Sequence, residues 1–208
     1  MKRLLKRIAP RPLLAAVRNY RDIDASKRSV YARLRTLRLL GLRRDLPKVT
    51  TASHKFLFVC FGNIMRSPMA AALLEQRVAT RDAPVLVRSA GTNAKTGRPA
   101  EPRAMAAAVA RGISLDRHGA TLLTDESMRW ADVVLAMDYR NETELVHRFP
   151  WAEHKIALLG AFAQDGHVDV SIPDPYSEDD ATLDDCYARI AVAVTGVARR
   201  LVGGTERT

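Results

Sequence analysis

Cysteine is scarce in this chain, which has only Cys60 and Cys186 among its 208 residues. Two thiols cannot form the disulfide framework of a small secreted protein, so a reducing compartment such as the cytoplasm is expected. Long apolar runs are also missing, because no stretch approaches the roughly 20 residues that a membrane-spanning helix needs. Arginine and proline interrupt the leucine-rich N-terminus, which therefore lacks the unbroken apolar segment of a secretory signal.

Acidic residues are nearly absent from the first 50 positions. This segment holds 15 Lys and Arg but only three acids, Asp22, Asp24 and Asp45. The rest of the chain holds 18 basic and 20 acidic residues, so the formal net charge of +10 is confined to the N-terminal segment. Any contact with an anionic partner is therefore expected of this segment and not of the following domain.

The N-terminal arm, residues 1–54, is predicted to form two short basic amphipathic helices. Apolar side chains recur there at helical spacing, at Leu13, Val17 and Tyr20 and again at Val30, Leu34, Leu37 and Gly41. Basic helices of this kind bind acidic partner proteins or anionic membrane surfaces, and a solvated extension is the plain alternative. Tyr20 and Tyr31 are the only aromatic residues of the arm, so no nucleic-acid motif is indicated.

From residue 55 to residue 208 the sequence predicts an α/β fold. Apolar runs typical of strands alternate with segments of helical periodicity. The predicted strands cover residues 55–59, 85–89, 132–137 and 155–159, and the predicted helices cover residues 67–78, 101–111, 141–149 and 183–202. This alternation indicates a four-stranded parallel sheet with helices on both faces, in which ligands bind beyond the carboxyl ends of the strands.

The stretch VCFGNIMRSP, residues 59–68, places Cys60 at the end of the first strand and Arg66 six positions later. Gly62 and Asn63 can adopt positive φ, so the backbone N–H groups of the loop can curl around an anion at the start of the next helix. Such surroundings favour a thiolate, and Arg66 can bind two phosphate oxygens. The pattern predicts a nucleophile at the floor of a phosphate site, while a buried packing cysteine is the alternative.

CFGNIMRSP resembles the phosphate-binding loop of the low-molecular-weight protein tyrosine phosphatases, Cys-x-Gly-Asn-x-Cys-Arg-Ser-Pro. SAGT at residues 89–92, ADVVLAMD at residues 131–138 and DPY at residues 174–176 resemble further segments of that family. The similarity covers about residues 55–202 and excludes the arm. It implies a phosphatase of the bacterial type with the family's flavodoxin-like three-layer fold.

The resemblance also implies roles for individual residues. Cys60 would be the nucleophile, Arg66 would bind the phosphoryl oxygens, and Asp174 would act as general acid and then as general base. Tyr176 would flank the substrate ring, and Ser89 and His118 would support the loop by hydrogen bonds. The remaining substrate-binding positions would be Phe61, Gly62, Asn63, Ile64, Met65 and Ser67. No cofactor or metal is expected, because Arg66 and the backbone donors neutralise the phosphate.

Two loop positions carry information beyond the family pattern: one departs from it, and the other distinguishes between two branches of the family. Met65 stands where many members have a second cysteine that protects the nucleophile as a reversible disulfide, so oxidation is expected to be less reversible here. Ile64 occupies the position where threonine marks the arginine-phosphatase branch, which favours the tyrosine branch. The expected substrate is therefore a phosphotyrosine-bearing protein, for which bacterial relatives suggest a tyrosine kinase.

Two alternative functions remain open from the sequence. An arsenate reductase on the same fold would need a relay of further cysteines, and only Cys186 is available, on the apolar stripe of the last helix. The second alternative is a binding protein that acts mainly through its basic arm. Retention of Cys60, Arg66 and Asp174 together argues against an inactive phosphatase domain.

Overall fold

A computed structural model describes residues 20, 23–45, 48–81, 84–163 and 170–202. Contacts divide the chain into two units, Met1–Arg43 and Arg44–Thr208. In the first unit a 3-10 turn at Ala25–Lys27 leads into helix α1 (Arg28–Leu39). The second predicted helix of the arm is therefore present, whereas the first, apart from Tyr20, falls outside the described residues.

The second unit contains the predicted four-stranded parallel sheet. Its strands are β1 (Lys55–Cys60), β2 (Leu86–Gly91), β3 (Val133–Ala136) and β4 (Ile156–Leu158), in the order β2-β1-β3-β4. Cys60 pairs with Gly91 of β2, and Val59 pairs with Ala136 of β3. The carboxyl ends of these three strands therefore meet at one edge of the sheet.

Helices cover both faces of the sheet, as the alternating sequence pattern predicts. On one face, α2 (Arg66–Val78), α3 (Pro102–Val109) and α6 (Asp180–Leu201) share a core with Phe56, Phe58 and Cys60. On the other face, α4 (Asp125–Trp130) and α5 (Tyr139–Arg148) contact the strands. Leu57 and Val59 are buried outside the first core, as expected for alternating side chains of a doubly covered strand.

Side-chain caps set the starts of three helices. The carboxylates of Glu101, Asp138 and Asp179 accept hydrogen bonds from first-turn N–H groups of α3, α5 and α6, respectively. The predicted starts at residues 141 and 183 are therefore too late, because a cap precedes the apolar stripe from which they were inferred. After α3, Gly112 takes a positive φ of 71° and ends the helical segment.

Short elements differ most from the prediction. Helix α4 was not predicted, because six residues are too few to show helical periodicity, although Thr124 and Ser127 form a capping box at its start. Strand β2 runs from Leu86 to Gly91 and not over residues 85–89. Strand β4 spans only three residues, because 3-10 turns at Pro150–Lys155 and Leu159–Phe162 replace its predicted ends.

The free edge of β4 is covered by the segment that precedes β1. The backbone N–H of Leu158 donates to Asp45 Oδ1 at 3.3 Å, and Lys48 Nζ donates to the carbonyl of Ile156. The chain before Lys55 thus already contacts the sheet, so an arm deletion that spares the second unit removes residues 1–43. Among the described helices, none combines the length and apolar composition needed to cross a membrane.

Candidate active site

The predicted phosphate-binding loop lies at the carboxyl end of β1, immediately before α2. Strand β1 is flanked by β2 on one side and β3 on the other, so the chain changes direction across the sheet at this point. Ligand sites of parallel sheets form at such a switch, where the loops after neighbouring strands separate. The fold therefore places Cys60 where the sequence pattern predicts a ligand site.

Carbonyl oxygens of the loop are held on its outer side by other segments. The contacts are Thr92 N to Cys60 O at 3.0 Å, Asn93 N to Phe61 O at 2.9 Å, His118 Nε2 with Asn63 O at 2.7 Å, Glu101 N to Ile64 O at 2.9 Å and Tyr187 Oη to Met65 O at 3.3 Å. A trans peptide points its N–H away from its C=O, so each contact turns the next N–H inward. Inward N–H groups in such an arrangement are typical of anion-binding loops, in line with the prediction.

Asn63 stabilises the loop through its backbone conformation and its side-chain hydrogen bonds. It is fully buried and takes a positive φ of 54°, which asparagine tolerates better than most residues. Its Nδ2 donates to Ser67 Oγ at 2.8 Å and to Ser89 Oγ at 2.9 Å, and its Oδ1 accepts the N–H of Thr121 at 2.8 Å. Gly62 was also expected to be able to adopt a positive φ, but its φ in the structure is not positive.

Gly91 at the end of β2 gives this loop the space it needs. A Cβ on Gly91 would lie 2.6 Å from the carbonyl oxygen of Phe61 and 2.9 Å from the nitrogen of Asn63. Both distances are too short for contact with backbone atoms, so any larger residue would displace the loop. The SAGT segment therefore contributes close backbone approach as well as the Ser89 hydroxyl.

The Cys60 thiol is buried against two polar groups of the same loop. Its Sγ lies 2.9 Å from Ser67 Oγ and 3.2 Å from the backbone nitrogen of Asn63. Both groups can donate a hydrogen bond to sulfur, and the N-terminus of α2 adds a partial positive charge nearby. The sulfur therefore lies within hydrogen-bond reach of a hydroxyl and a backbone amide at the start of α2, where a nucleophile is expected.

Arg66 lies almost wholly in the interior, with 2% of its side chain exposed. Nη1 donates to Asp138 Oδ2 at 2.6 Å and to the carbonyl of Ile172 at 3.0 Å, while Nη2 donates to Asp174 Oδ2 at 2.5 Å. Burial lowers the pKa of Arg66, but attraction to Asp138, Asp174 and Cys60 outweighs this and raises it above its ordinary value. Arg66 therefore carries a fixed positive charge beside the thiol.

The site opens to solvent through a cavity of about 280 Å³. Cys60 and Arg66 line this cavity together with Asp174, so the three predicted catalytic residues meet there. Phe61 and Tyr176 also line it and are 53% and 50% exposed, which places two aromatic rings at the site. An aromatic phosphate ester can therefore place its ring beside aromatic side chains and its phosphate near the thiol.

Several residues of the site were not predicted as functional from the sequence. Asp138 binds Arg66, and Lys95 and Arg98 line the cavity as additional cations. Glu101 and Tyr187 anchor loop carbonyls, like His118, whose supporting position was predicted. Asp138 lies in the ADVVLAMD segment and could have been found there. The contact of Glu101 is made by its backbone N–H, which every residue except proline has, so the sequence does not reveal it.

The second cysteine lies beneath the loop that carries Asp174. Cys186 is fully buried on α6, and its Sγ lies 3.7 Å from the carbonyl of Pro173. Burial raises the pKa of Cys186 to about 12, so it remains a neutral thiol near neutral pH. The sequence interpretation of Cys186 as a packing residue agrees with this environment.

Comparison with known proteins agrees with this geometry. The family model of the low molecular weight phosphotyrosine protein phosphatases matches residues 55–205. The low molecular weight protein-tyrosine-phosphatase Etp of Escherichia coli K12 is 32% identical over 71% of this chain and 95% of its own length. The protein-arginine-phosphatase of Bacillus subtilis 168 is 37% identical over 56% of this chain and 77% of its own length.

Solved structures show the same relationship. The tyrosine phosphatase Wzb of Escherichia coli K30, in complex with sulphate, superimposes with a TM-score of 0.64 at 29% identity, over 72% of this chain and 99% of Wzb. The arginine phosphatase YwlE of Geobacillus stearothermophilus gives a TM-score of 0.65 at 33% identity, over 72% of this chain and 94% of YwlE. The chain belongs to the low molecular weight phosphotyrosine protein phosphatase family.

Proposed function

We propose that this chain is a protein-tyrosine phosphatase that works through a phosphocysteine on Cys60. The observation that carries this proposal is that Cys60, Arg66 and Asp174 line one cavity floored by the anion-binding loop. Nucleophile, fixed cation and titratable acid are the three groups that phosphoester hydrolysis by a thiol requires. The arsenate reductase alternative lacks support, because the remaining cysteine is buried beneath the Asp174 loop.

In the first step, the Cys60 sulfur attacks phosphorus and the bond to the phenolic oxygen breaks. The inward N–H groups of the loop and the guanidinium of Arg66 hold the other three phosphoryl oxygens, where negative charge is spread in the transition state. Asp174 donates its proton to the departing phenolic oxygen, because an unprotonated phenolate leaves poorly near neutral pH. The products are a free tyrosine hydroxyl and a phosphocysteine.

In the second step, water hydrolyses the phosphocysteine. Asp174, now ionised, accepts a proton from the water as it attacks phosphorus, and the sulfur–phosphorus bond breaks. The electron pair returns to Cys60 as a thiolate, which Ser67 Oγ and the N–H of Asn63 stabilise. Inorganic phosphate then leaves and the starting state is restored.

The ion pair between Arg66 and Asp174 has a consequence for substrate binding. In the free protein Arg66 Nη2 donates to Asp174 Oδ2, so the arginine is already occupied by a carboxylate. An entering phosphate dianion competes for the same guanidinium and separates the Asp174 carboxylate from Arg66. Asp138 keeps Nη1 in place during this exchange, because it binds the other arm of the fork.

The choice between tyrosine and arginine substrates depends on the cavity wall. Ile64 lines it with a buried apolar side chain, at the position where threonine marks the arginine-phosphatase branch. An apolar wall with the nearby rings of Phe61 and Tyr176 suits a phenyl ring better than a charged guanidinium. We therefore favour phosphotyrosine proteins, including tyrosine kinases, as substrates.

The test is turnover of p-nitrophenyl phosphate and of a phosphotyrosine peptide by wild type, Cys60→Ser, Asp174→Asn and Cys186→Ala. We expect Cys60→Ser to be inactive, Asp174→Asn to lose roughly 10²- to 10⁴-fold, and Cys186→Ala to retain activity as the cysteine control. Wild-type turnover by Cys60→Ser would refute the mechanism. Faster hydrolysis of a phosphoarginine peptide than of the phosphotyrosine peptide would refute the substrate assignment.

Charge neutralisation at the site supports catalysis without a metal. Arg66 carries a fixed positive charge at the cavity, and the loop N–H groups add partial positive charge toward the phosphate. Activity should survive dialysis against EDTA, and its loss would contradict this part of the proposal. Because the nucleophile is a thiol, we place the enzyme in a reducing compartment, the cytoplasm.

We also propose that the arm binds anionic membrane surfaces. At the end of α1, Leu39, Leu40 and Leu42 are 81%, 65% and 68% exposed and are followed directly by Arg43 and Arg44. Exposed leucines beside basic residues are typical of interfacial helices, which bury apolar side chains while cations contact anionic headgroups. An acidic protein would provide the charge alone and would leave the leucines unused.

Liposome sedimentation distinguishes a membrane surface from an acidic protein as the partner of the arm. The full chain should bind vesicles of phosphatidylglycerol more than vesicles of phosphatidylcholine, and deletion of residues 1–43 should abolish binding with unchanged p-nitrophenyl phosphate turnover. Replacing the three leucines with Ser should weaken binding while the net charge stays the same. Unchanged binding of that variant would refute a lipid surface and favour an acidic protein partner.

A further inference from the structure

Arg103, in the first turn of α3, binds the loop that carries Asp174. Its Nη2 donates to the carbonyl of Tyr176 at 3.1 Å, and its Nη1 donates to the carbonyl of Glu178 at 2.9 Å. Both carbonyls follow Asp174 within four residues, and one planar guanidinium binds them together. No role in the site was predicted for Arg103 from the sequence.

The loop is held separately on the other side of Asp174. The N–H of Ile172 donates to the carbonyl of Met137 at 2.8 Å, and Arg189 Nη2 donates to the carbonyl of Ser171 at 2.8 Å. After Asp174, the contacts from Tyr176 N to Asp174 Oδ1 and from Glu178 N to the Pro175 carbonyl stay within the loop itself. Arg103 therefore provides an external attachment for the half of the loop that follows the acid.

Ion pairing does not explain the position of Arg103. Its Nη1 lies 3.3 Å from Asp180 Oδ1, but that side chain is 81% exposed, and such pairs contribute little. Its Nε lies 3.6 Å from Glu101 Oε1, which is a long contact that leaves both fork nitrogens available for the loop carbonyls. The backbone contacts are the specific ones.

The start of α3 is also attached to the phosphate-binding loop. Glu101 N donates to the carbonyl of Ile64 at 2.9 Å, and Tyr187 Oη lies 3.3 Å from the carbonyl of Met65 and 3.4 Å from that of Ala104. Two residues after Glu101, Arg103 reaches the acid loop. One rigid helical turn thus contacts both the loop that binds phosphate and the loop that carries the proton donor.

We propose that Arg103 is a positioning residue that fixes the Asp174 loop relative to the phosphate-binding loop. The inference rests on the proposed role of Asp174 as general acid. Without the two carbonyl contacts, the acid loop can shift while the nucleophile, Arg66 and the loop N–H groups stay in place. The loss should therefore fall on proton transfer and leave phosphate binding intact.

The test compares two aryl phosphates that differ in their need for protonation. The leaving group of phenyl phosphate needs a proton from Asp174, whereas that of 2,4-dinitrophenyl phosphate is stable as an anion. For Arg103→Ala we expect kcat/KM to fall about 10- to 100-fold with phenyl phosphate, since small misplacements reduce rates by such factors. With 2,4-dinitrophenyl phosphate kcat/KM should change less than about threefold, because its leaving group does not need the proton.

Two further variants make the comparison specific. Arg111→Ala is the matched control, because Arg111 Nη2 binds Asp184 of α6 at 3.0 Å and its guanidinium lies over the Tyr187 ring, without contact to the acid loop. Any loss through Tyr187 would affect both esters, so this variant should keep the wild-type ratio of the two substrates. Arg103→Lys should recover part of the phenyl phosphate activity, since an ammonium can reach one carbonyl but lacks the fork. It also provides a measurable variant if Arg103→Ala fails to fold.

Equal losses with both esters, or no loss with either, would overturn the assignment of Arg103. A loss with phenyl phosphate of the same size in Arg111→Ala would also overturn it, because general loosening of the α3–α6 contact would then be the cause. Failure of the wild-type enzyme to hydrolyse either ester would instead refute the proposed phosphatase function. The two hypotheses therefore fail in different measurements.

Discussion

The ion pair between Arg66 and Asp138 allows a quantitative test of how burial changes the strength of a salt bridge. Its atoms lie 2.6 Å apart, with 2% and 15% of the two side chains exposed. On the surface, Arg129 Nε and Asp125 Oδ2 lie at the same distance of 2.6 Å, but their side chains are 67% and 55% exposed. Asp125→Asn is therefore a matched control for Asp138→Asn.

The expected magnitudes follow from these environments. Removing one partner of a buried pair costs about 3–5 kcal/mol, and we use about 2–3 kcal/mol for Asp138→Asn because Arg66 keeps Asp174 and the Ile172 carbonyl. Asparagine also preserves the cap of α5, where Asp138 Oδ1 accepts the N–H of Asn141 at 2.7 Å. Asp138→Ala loses this cap as well and should cost about 1 kcal/mol more. The exposed pair should contribute at most about 0.5 kcal/mol.

Urea unfolding followed by circular dichroism measures these differences. With a slope of about 2 kcal/mol/M, the midpoint should fall by roughly 1–1.5 M for Asp138→Asn and by a further ~0.5 M for Asp138→Ala. The midpoint for Asp125→Asn should stay within about 0.25 M of wild type. Equal midpoints for Asp138→Asn and Asp125→Asn would show that burial of Arg66 does not strengthen its dependence on Asp138, and would refute the reasoning.

Three further outcomes are expected. Lys95→Glu and Arg98→Glu should raise KM for phosphopeptides with acidic flanks about two- to fivefold each, because both cations line the cavity. Equal KM values at 50 and 300 mM salt would contradict an electrostatic cause. Iodoacetamide at pH 7.5 should alkylate Cys60 and spare Cys186, because burial raises the pKa of Cys186 to about 12. Peptide mapping that finds Cys186 labelled first would contradict this. Peroxide inactivation should resist dithiothreitol, since Met65 offers no resolving thiol; near-complete recovery with a Cys60–Cys186 disulfide in mass spectra would contradict it.

The sequence predicts well those parts of the site that depend on neighbours in the chain. Cys60, Asn63 and Arg66 lie within one short loop, and the strand before it and the helix after it follow from apolar patterning. The parallel sheet is predictable for the same reason, because each strand carries its own continuous apolar run. Asp174 required the family resemblance, since an Asp-Pro pair is also an ordinary turn signal.

The remainder depends on contacts between distant segments. Glu101 supports the loop through its backbone N–H, and Arg103 binds backbone carbonyls, so neither contact requires a recognisable pair of side chains. Asp138 serves two functions at once, as helix cap and as partner of Arg66, and only the first can be inferred from local sequence. Such residues become apparent once the sheet brings the ends of β1, β2 and β3 together.

The predicted phosphate-binding loop is therefore not an independent motif. Its N–H groups point inward because its carbonyls are bound from outside, by the segment after β2, by His118, by the start of α3 and by Tyr187 of α6. Each anchor comes from a different part of the fold, so an isolated peptide with the same residues would not hold its amides in one direction. The same start of α3 carries Arg103, whose contacts with the Tyr176 and Glu178 carbonyls reach the loop of Asp174. The geometry thus explains how a thiol, an arginine and an aspartate more than 100 residues away come to line one cavity.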